Sequence, residues 1–250
     1  MYDMPYFFDT LETIPEGVGF PAYSPLHLIW LGIFVLFCLI GSLLYRRCGE
    51  VGRQRWRRTI ACFLVADEVF KHTMLLLGDR WIPEYLPLHL CSINIFLIAL
   101  HAWKPSQGLG NYLYTVSIPA ATAALLFPTW TALPLGNFMH WHSFTVHILL
   151  AGYPILLTAA GDIRPQAKYI PRCLLLLLAM AIPIYGVNLA LDTNFMFLMF
   201  AAEGNPLLIF ENLWGNHLLG YPVLISAVLA VMHLPPWLLS KRKQHAAIQS

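Results

Sequence analysis

Charge is scarce in this 250-residue sequence: Asp, Glu, Lys and Arg together supply 11% of it, against 58% hydrophobic residues. A soluble globule of this length needs more polar surface, so the shortage excludes a water-soluble domain and indicates a polytopic membrane protein. The mean hydropathy of +0.62 agrees. Lys and Arg are missing from the first 24 residues, which Pro5, Pro15 and Pro21 interrupt. The segment therefore lacks the charged start of a cleavable signal peptide and reads as an ordered outer arm. The five cysteines, Cys38, Cys48, Cys62, Cys91 and Cys173, show no paired spacing, which argues against a disulfide framework. With no internal repeat and no low-complexity tract, the chain reads as one transmembrane domain, 1–250.

A membrane-crossing helix needs about 20 mostly apolar residues. Seven stretches qualify: 25–45, 59–78, 86–103, 111–127, 142–160, 172–191 and 220–239. They predict an all-α, seven-helix transmembrane bundle. The long connection 192–219 still looks structured through Asn194–Leu198 and Pro206–Phe210. Cytoplasmic loops hold an excess of Lys and Arg. Arg46, Arg47, Arg53, Arg55, Arg57, Arg58, Lys104, Arg164, Lys168, Arg172, Lys241, Arg242 and Lys243 would all lie on one side of such a bundle. Arg80 would be alone on the other, among Asp3, Asp9, Glu12, Glu16, Asp79, Glu84, Asp192, Glu203 and Glu211. The expectation is a multi-pass protein of the cell membrane with its N-terminus outside and residues 240–250 as a cytoplasmic tail. The Arg cluster reads as a topology and anionic-lipid anchor. It lacks the aromatic interleaving of a nucleic-acid surface, so no nucleic-acid partner is expected.

The polar residues inside these stretches are the informative ones, since such groups in hydrocarbon line cavities or mark functional sites. At about 1.5 Å per residue, His27 falls within about 3 Å of the outer end of its stretch, His72 about 9 Å below it, Cys91 and His147 each about 8 Å, and Asn188 about 5 Å. Five helices would thus supply a polar residue to one layer. Cys91 and His147 lie 56 positions apart, so only the fold can join them. If it does, the imidazole removes the thiol proton and the thiolate attacks an acyl carbonyl to give a thioester. The imidazole then deprotonates the incoming hydroxyl or water. Packing and a satisfied hydrogen bond are the competing explanation for a lone Cys and a lone His.

Asp67, Glu68, Lys71 and His72 pair by helical spacing as Asp67 with Lys71 and Glu68 with His72. They form either a compensated structural cluster or a support in which Glu68 orients His72. His89 is about 200° from Cys91 on a regular helix, so it is a wall residue unless the first turn after Pro87 is irregular. Asn94, at i+3 from Cys91, and Asn188 are candidate oxyanion donors. His140, His142 and His147 invite a zinc site, but His142 and His147 are about 140° apart and His140 precedes the predicted helix. No metal and no cofactor is expected. His101 and His233 read as packing residues toward the inner side.

Several segments also resemble a known family: Leu86-Pro-Leu-His-Leu-Cys-Ser-Ile93, Gly19-Phe20 with Ser24-Pro-Leu-His27-Leu28, Phe144-Thr-Val-His147, and Tyr185-Gly-Val-Asn-Leu189 with Thr193-Asn-Phe-Met-Phe-Leu198. They look like the YwaF-type bacterial integral membrane proteins, which are related to eukaryotic transmembrane protein 164 and more distantly to the androgen-induced membrane hydrolases. The similarity covers nearly the whole chain, although Gly220-Tyr-Pro222 departs from the Pro-Trp pair of the pattern. The resemblance implies a multi-pass fold and acyl-chain transfer between phospholipids, with Cys91 and His147 as the essential pair. The expected partners are a membrane phospholipid donor and a lysophospholipid acceptor. Two other readings stay open. One is a small-solute permease or non-catalytic lipid-binding protein, with Asp67, Glu68 and Lys71 handling protons or ions. The other is an intramembrane ester hydrolase, with or without a metal.

Overall fold

The computed structural model describes residues 6–201 and 205–249, with side chains up to 234. Asp3 and Glu203 lie outside the described residues, as do the side chains of Lys241, Arg242 and Lys243. Helix α1 (Pro25–Arg47) begins on a proline, whose missing N–H costs nothing in a first turn, and ends on two arginines. After the two-residue elbow Cys48–Gly49 the chain turns into α2 (Glu50–Leu77). This helix starts nine residues before the expected 59, so Arg53, Arg55, Arg57 and Arg58 are helical rather than in a loop. Helix α3 (Leu90–Trp103) begins four residues later than expected, because Pro83–Tyr85 forms its own short turn and His89 is extended as the N-cap.

The expected fourth span, 111–127, is three pieces. Helix α4 (Gln107–Tyr112) passes through a wide π-turn, Leu113–Ser117, into α5 (Ile118–Leu126). Pro119 has no N–H to return to the preceding turn, and the widened turn absorbs the break. Helix α6 (Phe138–Ala159) begins four residues earlier than expected and so takes in His140. Then follow α7 (Ile170–Leu191), a short turn Phe195–Phe197, α8 (Leu207–Trp214) and α9 (Gly220–Gln249). The expected tail therefore continues α9 instead of leaving it. The described parts of the connection expected at 192–219 are structured, as Phe195–Phe197, Leu207–Trp214 and a short turn His217–Leu219.

Among the described residues, five helical stretches are long and apolar enough to cross a membrane: Pro25–Arg47, Pro83–Trp103, Phe138–Ala159, Ala167–Leu191 and His217–Leu234. The chain is thus a helical, multi-pass membrane protein. Leu28, Ile33, Leu36 and Leu39 of α1 and Leu175, Leu178 and Ile182 of α7 are exposed, as lipid-facing side chains are in a bundle whose own backbone is satisfied within its helices. Helix α6 is the hub, with α1, α2, α3 and α5 packed around it. A Cβ on its Gly152 would collide with the Phe37 ring of α1, so the glycine sets how closely these helices approach. The arm before α1 is stitched to the connection ahead of α6. Asn137 donates to the carbonyls of Tyr6 and Asp9 at 2.7 Å each, and Phe20 N–H donates to Thr131 O at 2.8 Å.

One end of the bundle collects the basic residues. Asp162, just past α6, accepts from Tyr45 Oη at 2.7 Å and Arg53 Nη1 at 2.6 Å, and Arg57 Nη1 lies 3.5 Å away. The guanidinium of Arg58 lies 5.8 Å from the Trp103 ring centroid at the end of α3. The ends of α1, α3 and α6 and the start of α2 therefore meet there. The thiol lies at the other end.

Candidate functional site

Cys91 sits in the first turn of α3, where Ile93 N–H to His89 O at 3.0 Å opens the helical bonding. The N–H groups of Leu90, Cys91 and Ser92 thus have no intrahelical acceptor. They set a positive dipole end beside the thiol. The turn after Pro87 is irregular, so the angular objection to His89 and Cys91 sharing one cavity does not apply. The Cys91 Sγ is free of disulfide and makes no hydrogen bond to His147 or to any other described residue.

His147 is held at one nitrogen. Nδ1 donates to Ser143 O at 2.6 Å, which turns the ring back toward the start of α6. A carbonyl oxygen can only accept, so Nδ1 carries the proton and the lone pair is left on Nε2. Trp130 stacks on this ring at 5.0 Å between centroids and 14° between planes. Measured from the helix starts, Cys91 is one residue in, about 1.5 Å, and His147 nine, about 13 Å. The equal depths expected from the apolar stretches do not hold, because α3 starts later and α6 earlier. The upward turn of the His147 ring recovers part of that difference.

The acidic cluster pairs differently from its helical spacing. Lys71 Nζ donates to Glu68 Oε1 at 2.6 Å, and His72 Nε2 lies 3.4 Å from the same oxygen. Asp67 does not take Lys71; its Oδ2 lies 2.7 Å from His142 Nδ1 on α6. His142 Nε2 is 3.8 Å from Glu68 Oε2, which has no hydrogen-bond partner. His72 is engaged on both sides, since Trp81 Nε1 donates to its Nδ1 at 3.2 Å. Trp81 rather than Glu68 makes the hydrogen bond that fixes its tautomer, with Nδ1 accepting and the proton on Nε2 toward Glu68.

The remaining candidates divide into staples and open groups. His27 accepts from Tyr23 N–H at 2.8 Å through Nδ1 and donates to Leu125 O at 2.7 Å through Nε2, fastening the start of α1 to α5. Asn188 accepts from Thr193 Oγ1 at 3.0 Å and Phe195 N–H at 2.8 Å, and donates to Phe195 O at 3.0 Å. That arrangement shapes the Phe195–Phe197 turn, in which Met196 and Phe197 hold φ of 57° and 53°. Left-handed backbone at non-glycine residues costs about 1–2 kcal/mol each, and the turn is kept against His89. Met196 N–H points to His89 Nδ1 at 3.4 Å, with the Phe195 and Phe197 rings 5.3 and 5.8 Å from the imidazole. Asn94 is 1% exposed and its Oδ1 has no partner, and Trp130 Nε1 is buried and unpartnered as well.

His140 donates through Nδ1 to Leu133 O at 2.9 Å and accepts from Trp30 Nε1 at 3.0 Å. With His142 on Asp67 and His147 on Ser143, the three imidazoles serve three separate bonds and do not converge. Sequence reasoning missed His142 as the partner of Asp67 and missed Trp130 altogether. Neither left a signal, since 75 positions separate the first pair and Trp130 stands in a connection without periodicity.

The TMEM164 family model matches residues 22–233, most of the chain and all of this site. The chain belongs to the TMEM164 family. The matched range includes the Leu86–Ile93 segment, His147 and the Thr193–Leu198 turn that carried the resemblance. No match to this member was found among curated proteins or among solved structures.

Proposed function

We propose that this member of the TMEM164 family, of the YwaF-type bacterial branch, is a membrane-embedded acyltransferase. It moves a fatty acyl chain from a phospholipid to a lysolipid acceptor. The observation that carries the reading is the lock on His147: its Nδ1 proton is committed to Ser143 O, which leaves Nε2 as a base without further rearrangement. Cys91 at the start of α3 is the matching nucleophile, its proton removed by the imidazole as the attack begins. The two approach on lipid binding, because catalytic hydrogen bonds are often long before the substrate complex forms.

Nε2 takes the Cys91 proton, Sγ attacks the ester carbonyl carbon, and the ester C–O bond breaks. The imidazolium returns its proton to the departing lysolipid alkoxide. The acceptor hydroxyl then gives its proton to Nε2 and attacks the thioester, the C–S bond breaks, and the thiol is restored. Trp130 Nε1–H is the open donor for the developing oxyanion, and Asn94 serves it only through Nδ2, since its open Oδ1 is an acceptor. Water in place of the lysolipid turns the same cycle into ester hydrolysis. In this reading α2 and the broken α4–α5 pair also cross the cell membrane, giving seven spans, with the basic end inside and the N-terminus outside.

The test is an activated-ester fluorescent lipid that acylates nucleophiles, applied to the wild type, Cys91→Ala and His147→Ala. Labelling of the wild type that both substitutions abolish supports the acyl-enzyme. Labelling that persists in Cys91→Ala refutes it.

One observation favours a permease instead. Glu68 and Lys71 are an ion pair buried in the helical packing, with Glu68 Oε2 unpartnered and Asp67 on His142, an arrangement suited to carrying protons. Solute flux into proteoliposomes that needs Glu68 and ignores Cys91 would select that function.

A further inference from the structure

At the basic end, away from the thiol, a cavity of about 160 Å³ opens beside the start of α4, with Arg57, His101, Ser106, Gln107, Leu157 and Asp162 in its wall. At about 30 Å³ per water it has room for several waters or one small oxyanion. Its polar groups are unbalanced toward donors. Arg57 is 6% exposed; its Nη2 donates to Glu50 at 3.0 Å and its Nη1 faces Tyr45 Oη at 3.3 Å, but its buried Nε–H has no partner. A buried guanidinium N–H carries a desolvation cost until something accepts from it.

Ser106 Oγ accepts from Leu109 N–H at 3.2 Å as the α4 cap, and its own hydrogen stays free to donate. The carboxylate and amide oxygens in the wall are already committed. Asp162 Oδ1 holds Arg53, and Oδ2 holds Tyr45 and faces Arg57. Gln107 Oε1 accepts from Arg164 N–H at 3.1 Å while its Nε2 donates to Asp162 O at 2.7 Å. Arg53 and Arg57 are balanced by Asp162 and Glu50, so what the wall lacks is an acceptor rather than a counter-charge.

We infer that this cavity binds a phosphate-class oxyanion, either the headgroup of an anionic lipid or free phosphate. The anion accepts from Arg57 Nε–H and Ser106 O–H, the two donors of the wall left without an acceptor. Guanidinium and hydroxyl donors are the usual partners of phosphate oxygens. The site is independent of the thiol and of the acyl-transfer reading.

The test is thermal unfolding of the full-length protein in neutral detergent at fixed ionic strength. One arm titrates sodium phosphate against chloride. The other titrates short-chain phosphatidic acid against phosphatidylcholine of the same chain length. A saturable rise in Tm of roughly 2–4 °C is expected in at least one arm. Ser106→Asp keeps an efficient helix cap but puts a carboxylate at the wall, and should remove the rise. Ser106→Asn, capped and neutral, should keep it. A rise with phosphate alone assigns free anion, and a rise with phosphatidic acid assigns the headgroup. No rise in either arm, a rise that phosphatidylcholine matches, or a rise that Ser106→Asp leaves unchanged overturns the site.

Discussion

At the basic end of the bundle Asp162 binds Tyr45 and Arg53 and faces Arg57, which ties the ends of α1 and α6 to the start of α2. The thiol end is built differently. Cys91 Sγ, Asn94 Oδ1, Glu68 Oε2 and Trp130 Nε1 are without partners, although Lys71, His142 and His89 lie among them. Buried polar groups are normally satisfied because leaving them open costs stability. At the basic end Arg57 Nε, Arg58 Nε and Thr158 Oγ1 are open as well, and Arg57 borders the cavity there. The two ends therefore differ less in how many groups stay open than in what surrounds them: a carboxylate that ties helix ends together at one, a nucleophile and an imidazole at the other.

Substitutions break this comparison at either end. The largest expected effect is at the nucleophile: Cys91→Ala should lower acyl transfer by about 10³-fold or more, with a Tm within a degree or two of the wild type. A matching fall in Tm would make Cys91 a packing residue. His147→Gln comes next. It should reduce turnover by about 10²-fold, near the lower bound for loss of a general base, as measured in a lipid-transfer assay with donor saturating.

At the basic end the sign reverses. Asp162→Ala removes the acceptor of Tyr45 Oη and Arg53 and leaves Arg57 with Glu50 alone; it should cost about 2 kcal/mol of stability, read by denaturant unfolding in detergent, with per-molecule activity of the folded fraction unchanged. An activity loss larger than the unfolded fraction would show that the two ends are coupled. Asn94→Leu sharpens the contrast, because removing an unsatisfied buried amide should leave stability equal or slightly higher while transfer falls about 10-fold if Asn94 serves the oxyanion. The smallest change belongs to His27→Phe. It removes the bonds to Tyr23 and Leu125 and should cost about 1–2 kcal/mol without a selective effect on transfer.

Membrane class was legible in the composition, and five of the seven predicted stretches match helices able to cross a membrane. Their limits were not, because apolarity reports where lipid or core contact continues and says little about where helical hydrogen bonding starts. Pro87 and the extended His89 delay α3, Asn137 starts α6 early by capping Met139 N–H at 2.9 Å, and Arg-rich sequence continues α2 beyond its apolar part. Those shifts undid the equal depths assigned to Cys91 and His147. The i+4 pairing of Asp67 with Lys71 failed for a related reason: a neighbouring helix offered a better partner in His142, and local spacing carries no trace of that helix.

The sequence by itself determined that this is a membrane protein with scarce polar residues, and it singled out the segments that resemble the TMEM164 relatives. Both are properties of residue type and local order. Only the tertiary structure decided that Asp67 takes His142, that His27 is committed to Leu125 O, and that Asp162 clamps the far end. A hydrogen-bond partner is set by distance and direction between groups far apart in the chain, and those exist only once the helices have packed.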